Sequence, residues 1–262
     1  MTSRRAHGTQ SVPHMEFCAR SDVGRVRTRN EDALEVRQTQ AWALLADGMG
    51  GYRGGDVASR IAVAAALQRL EYEVSAGRAE GPDALAGVLS RAVCVANDEI
   101  RREAMKTPEL SGMGSTLVVA TFLADCVVSV HVGDSRLYRL SEGGLQQLTR
   151  DHTMLQELVD GGIMSAEESA RSQFRGLLTR GLGVSATVVP EVGTHAARAG
   201  DIFLLCSDGL TDMLADDEIA DVLASIITGD GLLAPAADRL VELANCRGGR
   251  DNISVILARM AV

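Results

Sequence analysis

Four aspartates, spread over the whole chain, each stand where an apolar segment meets a turn. Trp42-Ala43-Leu44-Leu45-Ala46 runs into Asp47-Gly48-Met49-Gly50-Gly51, and Ile202-Phe203-Leu204-Leu205-Cys206-Ser207 runs into Asp208-Gly209. The apolar segment 127–132 ends in Gly133-Asp134-Ser135-Arg136, and Gly248-Gly249-Arg250-Asp251-Asn252 leads into Ile253-Ser254-Val255-Ile256-Leu257. One Asp-Gly after a strand is an ordinary turn; Asp134 also reads as a hairpin residue paired with Arg136, and Asp251 as an Asx-turn with Asn252. Taken together, the carboxylates are hard oxygen donors with no soft partner nearby, a set that suits Mg²⁺ or Mn²⁺ over Zn²⁺ or Cu²⁺. The glycines at 48, 50, 51, 54 and 55 are more than a turn needs, and they let a backbone carbonyl come close to an ion. An aspartate ending a strand as apolar as 202–206 is partly desolvated and calls for a cation or several donors.

The segment Gly24-Arg25-Val26-Arg27-Thr28-Arg29-Asn30-Glu31-Asp32 sets three arginines at alternate positions. In an extended strand they share one face, and a guanidinium fork there could clamp a phosphoryl oxygen. Arg25 and Arg29 read as a solvated basic face. Glu31 and Asp32 read as partners of metal-bound water or of Arg27. His152, in Thr149-Arg150-Asp151-His152-Thr153, is a candidate proton shuttle, although a lone histidine is more often structural. The chain has no Ser/His/Asp order, no nucleophile elbow and no G-x-x-x-x-G-K-[ST] loop. Its five cysteines form no C-x-x-C or C-x5-R pattern, so they read as reduced core thiols in a cytosolic protein.

The elements that must position these residues follow from the pattern. At 262 residues, 46% hydrophobic and with only five prolines, the chain predicts one large domain over 14–262 behind a disordered tail at 1–13. Acids outnumber bases 35 to 26, which argues against nonspecific nucleic-acid binding. The sequence shows no signal peptide and no membrane-length apolar run, so a monomeric cytoplasmic protein is the expectation. Strands are expected at 16–20, 33–37 and 42–46, and an antiparallel meander at 115–122, 127–132 and 136–140. Further strands are expected at 188–192, 202–206 and 253–259. Helices are expected at 56–70, 82–105, 216–227 and 235–245. Residues 152–176 turn polar and helix-forming, as a mobile flap would. Paired helices and runs of strands without βαβ alternation favour an α+β fold, a sheet core with helices packed outside.

These segments, in this order, resemble the metal-dependent serine/threonine phosphatases of the PP2C (PPM) family. The matching motifs are Gly24-x-x-Arg27-x-x-Asn30-Glu31-Asp32, Ala46-Asp47-Gly48-Met49-Gly50-Gly51, Gly112-Met113-Gly114-Ser115-Thr116 and Gly133-Asp134-Ser135-Arg136. They continue through Leu148-Thr149-Arg150-Asp151-His152, Leu178-Thr179-Arg180, Cys206-Ser207-Asp208-Gly209-Leu210 and Arg250-Asp251-Asn252. The resemblance implies a four-layer α/β/β/α sandwich of two antiparallel-type sheets flanked by helices. It implies two Mn²⁺ or Mg²⁺ ions bridged by Asp47, the Gly48 carbonyl on one ion and Asp208 and Asp251 on the other. Asp134, with Asp208, matches a third, weaker site of bacterial-type members. Glu31 and Asp32 stand behind the ligands, Arg27 matches the phosphate-binding arginine, and 153–176 matches the flap. The implied reaction is hydrolysis of phosphoserine and phosphothreonine in proteins by direct attack of a metal-bridging water, opposite a Ser/Thr kinase. Met49 stands where many eukaryotic members have histidine, and Tyr52 where bacterial relatives often carry one. That leaves His152 or a water on the third metal as candidates for protonating the leaving group. The alternative is a phosphoprotein-binding regulatory module that has lost catalysis.

Overall fold

Several strands are buried along their whole length because both of their faces are covered. The computed structural model describes residues 13–50, 54–172, 174, 176–228 and 231–261. The expected tail therefore falls, except for Pro13, outside the described residues, as does Tyr52. In chain order the elements are β1 (Met15–Asp22), β2 (Asp32–Arg37), β3 (Trp42–Met49), α1 (Gly55–Ser75), α2 (Pro82–Lys106), β4 (Gly114–Ser115), β5 (Leu117–Phe122), β6 (Cys126–Val132) and β7 (Arg136–Ser141). They continue as β8 (Gly144–Gln147), α3 (Met154–Asp160), α4 (Ala166–Arg171), β9 (Glu191–Ala196), β10 (Ile202–Cys206), α5 (Asp208–Thr211), α6 (Asp216–Thr228), α7 (Leu233–Cys246) and β11 (Ile253–Met260).

Two antiparallel sheets result, one ordered β1-β11-β10-β7-β8 and the other β2-β3-β5-β6-β9, with β4 added to β3. Three apolar layers separate four structural ones. Ala43, Leu45, Val118, Phe203 and Ile256 meet between the sheets. Trp42, Leu44, Val119 and Val130, pointing the other way from their strands, pack under α1 and α2. Leu204, Val255 and Leu257 pack under α6 and α7 with Ile219, Leu223 and Leu240. The architecture is the four-layer α/β/β/α sandwich. Small residues on α1, among them Ala58, Ala62 and Ala66, are fully buried and let the helix lie close on its sheet.

The meander expectation needs correcting. β5 and β6 pair, but β7 pairs with β10 in the opposite sheet, so Gly133-Asp134-Ser135 is a crossing between sheets and not a hairpin. The short Gly133-Asp134-Ser135 link reads locally like a hairpin turn, and nothing in the pattern marks the crossing. The strand expected at 188–192 begins later, at Glu191, and β8 and the short α5 were not signalled. Cys126 and Cys206 are buried, but Cys246 at the end of α7 is exposed, so it is no core thiol.

Phe122 stands at the centre of the inter-sheet layer, with its ring 5.8 Å from Phe17 and 5.0 Å from Phe203 between centroids. Phe122→Ala leaves a void between two sheets that cannot close over it, at a cost of about 3–5 kcal/mol. The expected result is a lower urea midpoint with an unchanged denaturant slope.

Candidate metal centre

At one end of the sandwich the four aspartates come together. Asp47 lies near the end of β3, Asp134 on the crossing from β6 to β7, Asp208 at the start of α5, and Asp251 just before β11. All four line one cleft of about 800 Å³, together with Arg27, Glu31, Gly48 and Met49. Asp32 pairs with Asp47 across β2 and β3 but does not line the cleft.

The backbone around each carboxylate is pinned by small polar side chains. Thr116 Oγ1 accepts from the Asp47 N–H at 2.9 Å, the Thr116 N–H donates to the Asp47 carbonyl at 2.8 Å, and Ser115 Oγ donates to that carbonyl at 2.9 Å. Thr116 Oγ1 also lies 2.7 Å from Ser135 Oγ, tying β3 to the turn that carries Asp134. Ser207 Oγ donates to Asp32 Oδ2 at 2.9 Å and accepts from the Ser254 N–H at 3.0 Å, tying both sheets together behind Asp208. Sequence reasoning missed Ser207, Thr116 and Asp212, which also lines the cleft. Ser207 was signalled by its place beside Asp208, Asp212 by lying one helical turn beyond it, and Thr116 by the glycine-rich segment it closes.

Two glycines are required by close approach. A Cβ on Gly48 would lie 2.0 Å from the Gly55 carbonyl oxygen and 2.6 Å from that of Glu31. One on Gly209 would lie 1.9 Å from the carbonyl oxygen of Asn252. The Asp-Gly pairs are therefore packing junctions; Asp208-Gly209 opens a helix instead of making a turn.

Burial and mutual repulsion dominate the electrostatics. Burial raises Asp32 from 3.8 to about 7, Asp134 to about 8 and Asp208 to about 6, each helped by neighbouring carboxylates. Asp47 is raised well above its ordinary value by burial, then by Asp32 and Asp208. Asp32 Oδ1 and Asp208 Oδ1 are buried with no hydrogen-bond partner. Crowded, desolvated carboxylates with orphaned oxygens are what a hard divalent cation satisfies, so the residues fit Mg²⁺ or Mn²⁺.

The arginine segment is a loop with a turn at 24–26, not a strand, so Arg25, Arg27 and Arg29 share no sheet face. Arg25 and Arg29 are exposed and Arg27 Nη2 lies 2.6 Å from Asp251 Oδ2. Arg136 does not pair with Asp134; it binds Asp151, at 2.7 Å from Oδ2.

His152 lies outside the lining of the cleft. Its Nδ1 accepts from the Gly133 N–H at 3.1 Å, which leaves the proton on Nε2, 3.3 Å from Glu191 Oε2. Burial, then His131 and Arg180, lower its pKa to about 4, so at neutral pH the ring carries no extra proton to give. It grips the turn that holds Asp134. Donor atoms of His131, His152 and Glu191 lie within 4.8 Å of one another. A cation there would have to displace the Nε2 proton beside Arg180 Nη1, 3.2 Å away, and the aspartate centre is the better site.

Because their folded-state pKa values are raised, the clustered aspartates hold more protons folded than unfolded between pH about 4 and about 8, partly offset below about 6.5 by the lowered His131, His152 and His195. Their contribution to the stability of the metal-free protein should be greatest at the acid end of that window and fall as pH rises through Asp208, Asp32 and Asp134 in turn. Saturating Mn²⁺ should remove the aspartates' part of this slope. Thermal melts in EDTA and in Mn²⁺ across that range are the check.

Comparisons with known proteins place the chain in a family. The family model described as Protein phosphatase 2C matches residues 24–244. The serine/threonine protein phosphatase PstP of Mycobacterium tuberculosis is 41% identical over 244 residues, which is 93% of this chain and 45% of that protein. The chain thus spans about half the length of PstP. The serine/threonine phosphatase stp of Listeria monocytogenes is 38% identical over 247 residues, 93% of this chain and 94% of the relative. A solved catalytic domain of PstP in complex with two manganese ions superposes with a TM-score of 0.81 at 38% identity, covering 95% of this chain and 99% of that one. With its four motif aspartates lining one cleft, the chain belongs to the protein phosphatase 2C family.

Proposed function

We propose that this protein is a Mn²⁺- or Mg²⁺-dependent protein serine/threonine phosphatase. The observation that carries the reading is the convergence of Asp47, Asp134, Asp208 and Asp251 from four separate segments on one cleft that Arg27 also lines. Asp47, the Gly48 carbonyl, Asp208 and Asp251 would hold two ions, with Asp134 and Asp208 offering a third site and Glu31 and Asp32 supporting ligands or water. The ions supply Lewis acidity and an acidified water for attack on phosphorus. The chain's own part is to orient and to exclude. Arg27 would clamp a phosphoryl oxygen and neutralise charge that develops on it. The carboxylates by themselves repel a phosphate monoester, so substrate binding depends on the cations being in place.

Residues 153–176 form the proposed flap. They hold α3 and α4 and are closed at the neck by the Thr153–Leu178 bridge. Substrates would be phosphorylated proteins produced by a Ser/Thr kinase. We infer a monomer acting in the cytoplasm, a reading supported by five unpaired cysteines. No helix among the described residues is long and apolar enough to cross a membrane.

The test is turnover of p-nitrophenyl phosphate and of phosphoserine and phosphothreonine peptides with Mn²⁺, Mg²⁺, Ca²⁺ or EDTA. Activity is expected with Mn²⁺ or Mg²⁺ and none in EDTA; inactivity with every ion would leave only a binding module. Asp208→Asn should cost at least about 100-fold in kcat/KM, more than the loss typical of a group that merely supports a ligand. Arg27→Ala should cost about 100-fold while Mn²⁺ affinity by calorimetry stays near the parent value.

A further inference from the structure

We propose that Asn252 is a positioning residue that sets the Arg27 loop against the carboxylate centre. Its side chain is buried at a point where three segments cross. Oδ1 accepts from the Glu31 N–H at 2.7 Å, and Nδ2 donates to the carbonyls of Val23 at 3.0 Å and Arg29 at 2.8 Å. One amide thereby uses both of its donors and an acceptor on a loop whose other backbone bonds include those of Arg25 N–H to Gly249 and of the Glu31 carbonyl to Gly48 N–H. The bonded positions lie on either side of Arg27.

Arg27 needs such a hold. Its guanidinium is about half exposed, with Asp251 as its ion-pair partner, so its direction comes from the backbone beneath it more than from packing. The same residue also sets the other half of the pair, because the Asn252 N–H donates to Asp251 Oδ1 at 2.8 Å. Arg27 and Asp251 are therefore referenced to a single residue. Neighbouring contacts close the same seam: the Arg25 N–H donates to the Gly249 carbonyl at 2.7 Å, and a Cβ on Gly24 would lie 2.3 Å from the Asp251 carbonyl oxygen. Removing the amide frees three loop backbone groups at once and lets Arg27 move relative to the phosphate it would hold.

The inference rests on the reading of Arg27 as the phosphate-binding arginine, and the test separates the two. Hydrogen exchange of the full chain reads the loop directly, and inorganic phosphate, as a competitive inhibitor of p-nitrophenyl phosphate turnover, reads Arg27. In Asn252→Ala, exchange over 23–31 should quicken while the rest of the chain is unchanged. The phosphate Ki should rise about tenfold, the size of one or two lost hydrogen bonds. Mn²⁺ affinity should stay within about threefold, and in an Arg27→Ala background Asn252→Ala should add little to the Ki, as coupled residues do. Should the alanine variant fail to fold, Asn252→Ser shortens the side chain out of reach of Val23 and Arg29 without adding charge. Unchanged exchange over 23–31, a Ki penalty undiminished in the Arg27→Ala background, or Mn²⁺ affinity falling in step with the Ki overturns the proposal. An Arg27→Ala variant that inhibits at the parent Ki overturns the Arg27 reading instead.

Discussion

Buried carboxylates repel one another, and the rest of the site exists to hold them together in spite of it. Asp32, Asp47, Asp134 and Asp208 are each pushed above the ordinary aspartate range, first by burial and then by neighbouring acids. Left to local preference, such groups would face water. They stay because the segments that carry them are anchored to strands of the two sheets, where a shift of one residue would turn apolar side chains toward the wrong layer. The repulsion is stored in the fold and is available to a hard cation.

The bonds that resist it are mostly neutral. Ser115, Thr116, Ser207 and Asn252 grip main-chain groups beside the aspartates and bring no charge of their own. This division has a physical logic: a cationic side chain placed among the acids would satisfy them and compete with metal. Arg27 stands at the rim, half exposed, and reaches only Asp251. Glycines complete the scaffold where strand ends pass too closely for a side chain, as at Gly48 and Gly209.

Sequence reading worked best where one local pattern carried the answer. β10 was legible to the residue because it is apolar throughout and ends at Ser207-Asp208, and α2 was legible from Pro82 and its apolar face. The reading was weaker wherever the outcome depended on a partner far along the chain. The 24–31 segment alternates like a strand, but its polar groups are satisfied by Asn252 and Gly249, more than 200 residues away, so it stays a loop. His152 looked like a free proton donor because its partners Gly133, Glu191 and Arg180 are remote in sequence.

By itself, then, the sequence determined the ligand chemistry. Oxygen donors at strand ends, glycines beside them and a nearby arginine restrict the chain to hard divalent cations and phosphate, because residue type sets donor softness and charge. Only the tertiary structure decided that β6 and β7 part into different sheets, which puts Asp134 on a crossing that faces Asp208 instead of on a hairpin beside Arg136. Sheet membership depends on which apolar face finds which layer, and a strand buried on both sides carries the same pattern in either sheet.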